Sequence, residues 1–289
     1  MDIPSRIENA LKLAVDMKGE TAPPPKLAEA IRYSVFPGGA RVRPRLCLAV
    51  ASACGDDAPG LSNAAAAAVE LLHCASLVHD DMPCFDDADI RRGRPAVHSS
   101  YGESLALLAG DALIVMAFDV LGRAGAEAPH RLAPLVVTVA QAVGMPSGIV
   151  AGQAWESETH VPVETYHRAK TGALFIGSAM AGALAAGGDP LAWRGLGEQL
   201  GAAYQAADDL RDALCGEEEI GKPAGQDLAH ERPSLVSQHG VRDTVERLEG
   251  YVAAAIGSIP PCEGRPFLEK LIMNEAKRLK PKSLEQAAA

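Results

Sequence analysis

Aromatic residues are sparse: Phe, Tyr and Trp make up 4% of the 289 positions. Strands favour aromatic and β-branched side chains, whereas alanine and leucine, which supply most of the apolar content here, favour helices. Period-two alternation and hairpin signatures are also missing, which argues against a β-sandwich or barrel. Cysteine is limited to Cys47, Cys54, Cys74, Cys84, Cys215 and Cys262. No two lie at zinc-pair spacing, so free thiols in a reducing cytosol are expected. Positive charge is in deficit: 27 Lys and Arg face 37 Asp and Glu, a formal net charge of -10. This argues against nucleic acid, or an anionic membrane, as the main partner. A polyanionic substrate would therefore need bridging cations or a local basic cluster.

The first twenty residues lack a basic stretch followed by an apolar core, so no signal peptide is expected. Residues 132–155 carry no charge. Prolines, glutamines and glycines interrupt that run, and its flanks lack the anchors of a spanning helix, so a buried, kinked core helix is predicted and no stable membrane insertion. Long helical runs cover 62–81 (with Ser62 as N-cap), 109–121, 131–157, 163–186, 193–214, 233–258 and 265–279. The joints at 21–26, 36–45, 82–95 and 215–233 are polar or glycine-rich. No repeat or long linker divides the chain. The expected fold is all-α, one bundle of roughly ten or more helices over residues 1–280, with 281–289 as a loose tail.

Two acidic clusters carry chemistry. In Asp80-Asp81-Met82-Pro83-Cys84-Phe85-Asp86-Asp87, four acids follow an apolar helix, and Pro83 prevents a regular helix from continuing. The loop this forces lets Asp86 return beside Asp80. Crowded carboxylates repel one another, and hard divalent cations relieve that repulsion. Arg91 and Arg92 follow at once, which suits a metal-bridged phosphate. In Asp208-Asp209-Leu210-Arg211-Asp212 the helix is unbroken, and Asp208 and Asp212 share one face at i and i+4. Either cluster alone also fits a solvated acidic surface. The two together in one apolar helical chain favour a cation site. Three further segments are weaker signals: Gly38-Gly39-Ala40-Arg41-Val42-Arg43-Pro44, Lys170-Thr171-Gly172 and Gly221-Lys222-Pro223, with Arg232 beyond.

In this order, over residues 36–234, these segments resemble the trans-isoprenyl diphosphate synthase family. The likeness is strongest to bacterial carotenoid-pathway geranylgeranyl diphosphate synthases. The resemblance implies a helical bundle around a central apolar cavity, a cytoplasmic homodimer and about three Mg2+ ions. The implied metal set is Asp80, Asp81, Asp86, Asp208 and Asp212. Within it, Asp80 and Asp86 hold two ions and Asp208 a third, supported by Asp212. Arg91, Lys170, Lys222 and Arg232 would grip an allylic diphosphate. Arg43, His73 and Arg92 would bind isopentenyl diphosphate, and Thr171 and Gln205 would lie near a carbocation. Ala75 and Ser76, small residues one turn or so before Asp80, would set product length by leaving a tunnel open, which favours twenty carbons. Where the family usually carries a lysine, this chain has Ala40, so one contact to isopentenyl diphosphate is missing, and either Arg41 or Arg45 compensates or affinity is lower. A farnesyl diphosphate synthase, a class I terpene cyclase and a non-catalytic partner subunit are the alternatives. The low aromatic content argues against a cyclase, and two intact aspartate clusters argue against a silent subunit.

Overall fold

The computed structural model describes residues 2–17, 21–36, 39–214 and 234–279. It forms two compact units, Met1–Val139 with Ala181–Gly188, and Ala140–Met180 with Asp189–Ala289. The expected tail at 281–289 lies outside the described residues.

The first unit holds α1 (Ile3–Ala14), α2 (Pro25–Val35), α3 (Val42–Ala53), α4 (Pro59–Asp80), α5 (Val97–Tyr101), α6 (Glu103–Ala124) and α7 (Pro129–Val143) as far as Val139. Its axis is α4, whose Ala64–Ala68 run lets neighbouring helices approach closely. α1, α3 and α6 all pack on it. α4 starts a turn before the expected Ser62. Pro59 opens the first turn, where its missing N–H costs nothing, and the Glu127 carboxylate caps Leu61 N at 2.8 Å. Ser62 is buried inside the helix instead.

The second unit holds α8 (Ile149–Ala154), α9 (Val163–His167), most of α10 (Ala173–Ala185), α11 (Arg194–Leu214), α12 (Leu235–Gly257) and α13 (Arg265–Leu279). α11 and α12 enclose Ala203, Ala206, Ala207, Leu210, Leu235 and Leu248. The kinked core helix expected over 131–157 is two helices parted at 144–148, around Pro146. α7 buries only one face, on Leu135, Val139 and Ala142. The run expected over 163–186 is likewise divided by a π-helical turn, Arg168–Gly172.

By length and composition, Pro59–Asp80 and Glu103–Glu127 could cross a membrane. The first is a core helix, 78% buried over its most apolar window. The second is only 33% buried, with Leu107, Leu108 and Val115 exposed. Cys47 and Cys74 are buried free thiols, and burial pushes both up to about 12.

Candidate active site

In the first unit, α4 ends at Asp80 and the chain folds back at once. Asp86 N donates to Asp80 O at 2.9 Å, and Ala88 N to Asp81 O at 3.1 Å. Asp87 takes a left-handed φ of 47° to complete the turn. The result brings a carboxylate oxygen of Asp80 and one of Asp86 within 4.8 Å of each other. Two carboxylates that close, on an oxygen-only donor set, fit a shared hard divalent cation.

Asp81 faces the other way. It is 3% exposed and takes Arg91 Nε at 2.8 Å, with Arg91 Nη2 closing the same pair. Burial pushes its carboxyl above the usual range, and the Arg91 hydrogen bond works against that shift. Arg91 Nη2 also lies 3.7 Å from Asp80. Arg91 reaches both acids from a two-strand hairpin, β1 (Ile90–Arg91) and β2 (Arg94–Pro95). Arg92 and Gly93 form its turn with φ of 55° and 73°, the doubly left-handed geometry that matches strand twist. Arg92 is thereby sent towards Gly39. A Cβ at Gly39 would sit 2.7 Å from the Arg92 guanidinium carbon, so a larger residue there would push the guanidinium aside.

Arg43, in the first turn of α3, lies beside His73 of α4, Nη1 to Nε2 at 3.4 Å. Burial first, then the charges of Arg43, Arg92, Arg91 and Arg41, hold the His73 pKa well below 6.5. The ring is therefore neutral at pH 7. Because Arg43 can only donate, Nε2 accepts and the proton belongs on Nδ1. Arg41 does not fill the place of the missing lysine at Ala40. It is 8% exposed and is held by Glu8, Glu70 and the Val35 carbonyl. Ala75 is buried, and Ser76 Oγ donates to His73 O at 2.8 Å.

In the second unit, Asp208 is exposed on α11, Asp212 is half-buried one turn on, and Asp209 turns inward at 2% exposure. Asp209 accepts from Leu235 N at 2.6 Å and from Gln205 Nε2 at 2.7 Å. Burial nevertheless raises its pKa to about 6. A carboxylate can only accept here, so the Gln205 amide is oriented: its Oε1 faces Thr171 and takes that hydroxyl at 2.6 Å. Thr171, Gln205, Asp209 and the start of α12 thus form one hydrogen-bonded chain.

Lys170 and Thr171 sit in the π-helical turn, a geometry often found at functional sites. Lys170 pairs with Glu156, which also accepts Tyr166 OH at 2.6 Å. Gly152 lets α8 approach this turn, since a Cβ there would fall 2.3 Å from Lys170 N. Glu156 was not among the residues expected from sequence. It is the first charged residue after the uncharged run 132–155, a signal that could have marked it. Lys222 and Arg232 lie outside the described residues.

Residues 24–259 match the polyprenyl synthetase family model. The chain is 54% identical to a geranylgeranyl diphosphate synthase of Cereibacter sphaeroides, over 97% of this chain and 98% of that one. It is 50% identical to a geranylgeranyl diphosphate synthase of Rhodobacter capsulatus, over 96% of each. A geranyltransferase from Helicobacter pylori, solved with magnesium and isoprenyl diphosphate, superposes with a TM-score of 0.81 at 26% identity, covering 96% of both chains.

Proposed function

Because the chain belongs to the polyprenyl synthetase family, we propose that it joins isopentenyl diphosphate to an allylic diphosphate, farnesyl or shorter, to give geranylgeranyl diphosphate. The near full-length identity to two bacterial synthases of that product carries the reading. The folded-back Asp80–Asp86 pair supports it independently.

In this reading Asp80 and Asp86 hold magnesium, and Asp208, helped by Asp212, holds more. Bound magnesium would stabilise the charge that builds on the departing diphosphate. Arg91 and Lys170 take part in gripping the allylic diphosphate. Each starts paired to a carboxylate, Asp81 and Glu156 respectively, which fixes its direction beforehand. Asp81 then serves the metal cluster by orienting Arg91. Arg43, Arg92 and neutral His73 bind isopentenyl diphosphate. Thr171 presents its hydroxyl oxygen towards the carbocation, because Gln205 takes its proton side. The two units act as a single catalytic domain, and the reaction runs in the cytosol, in keeping with buried free thiols.

Ala75 and Ser76 leave the tunnel open for a twenty-carbon chain. Incubation with isopentenyl diphosphate, each allylic primer and magnesium, followed by product sizing, tests this directly. Wild type should give twenty carbons and Ala75→Tyr fifteen. Only twenty-carbon product from Ala75→Tyr would refute the tunnel assignment. We further propose that a second copy covers the exposed apolar face of α6, Leu107, Leu108 and Val115. Sedimentation should then report a dimer at micromolar concentration.

A further inference from the structure

We infer that Arg41 is a positioning residue for the isopentenyl diphosphate subsite, acting through Arg43 and His73 without touching substrate. This rests on the prenyltransferase reading above. Arg41 stands just before α3 with φ 50° and ψ 38°. A non-glycine residue holds that left-handed conformation only where its surroundings enforce it. The enforcement comes from its guanidinium. Nε donates to Glu8 Oε1 at 2.9 Å, Nη1 to Glu70 Oε1 at 2.7 Å and Nη2 to Val35 O at 2.9 Å. These partners lie on α1, α4 and the end of α2, so one planar fork ties three helices to the start of a fourth.

The places it ties are the ones the subsite needs. Arg43 is two residues beyond Arg41. His73 is three residues beyond Glu70, so the two share a face of α4. One pair, with Glu70 only 2% exposed, therefore sets both sides of the 3.4 Å Arg43–His73 contact. With alanine at position 40, the subsite depends the more on how its remaining bases are held. The chain aims the bases it has.

The test is steady-state kinetics on the full chain with magnesium, varying each substrate against saturating levels of the other. Variants are Arg41→Lys, which keeps the charge but loses the fork, and Glu8→Gln, which keeps an acceptor at the rim but removes its charge and so weakens the hydrogen bond from Arg41 Nε. Arg41→Lys should raise KM for isopentenyl diphosphate about tenfold and leave KM for the allylic diphosphate within about twofold. Glu8→Gln should raise the first by about threefold, with an unchanged melting temperature. Should Arg41→Lys fail to fold, Glu8→Gln decides alone. Unchanged KM values in the folded variants, or equal rises for both substrates, would overturn the positioning role. A wild-type chain that makes no condensation product would instead overturn the underlying reading.

Discussion

The acidic cluster at the end of α4 and the one within α11 reach the same arrangement by opposite routes. In the first, Pro83 stops the helix, and a fold-back brings Asp86 to Asp80. In the second, the helix runs on, and its own pitch sets Asp208 and Asp212 on one face. In both, the second acid of the Asp-Asp pair turns inward. Asp81 meets a charged partner, Arg91, while Asp209 meets a backbone amide and a neutral side chain. The inner acid becomes part of the framework in each, and the outer acids are the ones proposed above to hold a cation.

If the outer acids serve one reaction, removing either should be equally severe. Asp80→Ala and Asp208→Ala should each cut kcat at least about a hundredfold at saturating magnesium while the helical circular dichroism persists. Normal turnover in one of them would mean that the two clusters do different jobs. The inner acids should separate instead. Asp81→Asn takes from half-buried Arg91 its nearest carboxylate and leaves Asp80, 3.7 Å away, as the weaker partner, at a cost of about 3 kcal/mol. Asp209→Asn keeps one acceptor for two neutral donors and costs about 1 kcal/mol. Urea denaturation measures both, and equal losses would erase the distinction between a charged and a neutral framework.

Much of this was legible in the sequence. α13 spans the residues its amphipathic pattern predicts, and the proline within the first cluster foretells the fold-back. The spacing of Asp208 and Asp212 translates directly into a shared face. Each misreading has a physical cause. Ser62 has the chemistry of a cap, but Pro59 offers an earlier start and Glu127, 66 residues away in sequence from Leu61, supplies the cap. The Arg92-Gly93 turn joins strands of two residues each, too short for alternation to register. Arg41 reads as one more basic loop residue because its partners, Glu8 and Glu70, lie 33 and 29 positions away. Pairings of that range leave no periodic trace, so they emerge only when helices are packed.

The surroundings of the clusters differ in one further way. The first has a histidine among arginines, whereas the described residues hydrogen-bonded around Asp209 are neutral. His73 in the folded chain has a pKa well below 6.5, chiefly through burial. The unfolded chain therefore takes up a proton near pH 6.5 that the folded chain refuses. The stability linked to this group is fully present above that pH and is lost as pH falls below it. The slope it contributes is at most about 1.4 kcal/mol per pH unit, reduced by the ring's partial exposure. His73→Gln removes the titration while keeping an acceptor for Arg43. Urea midpoints measured from pH 7 to pH 5 should therefore decline less steeply in His73→Gln than in wild type. Parallel declines would mean that His73 is protonated in the folded chain, and its place as a neutral acceptor beside Arg43 would have to be given up.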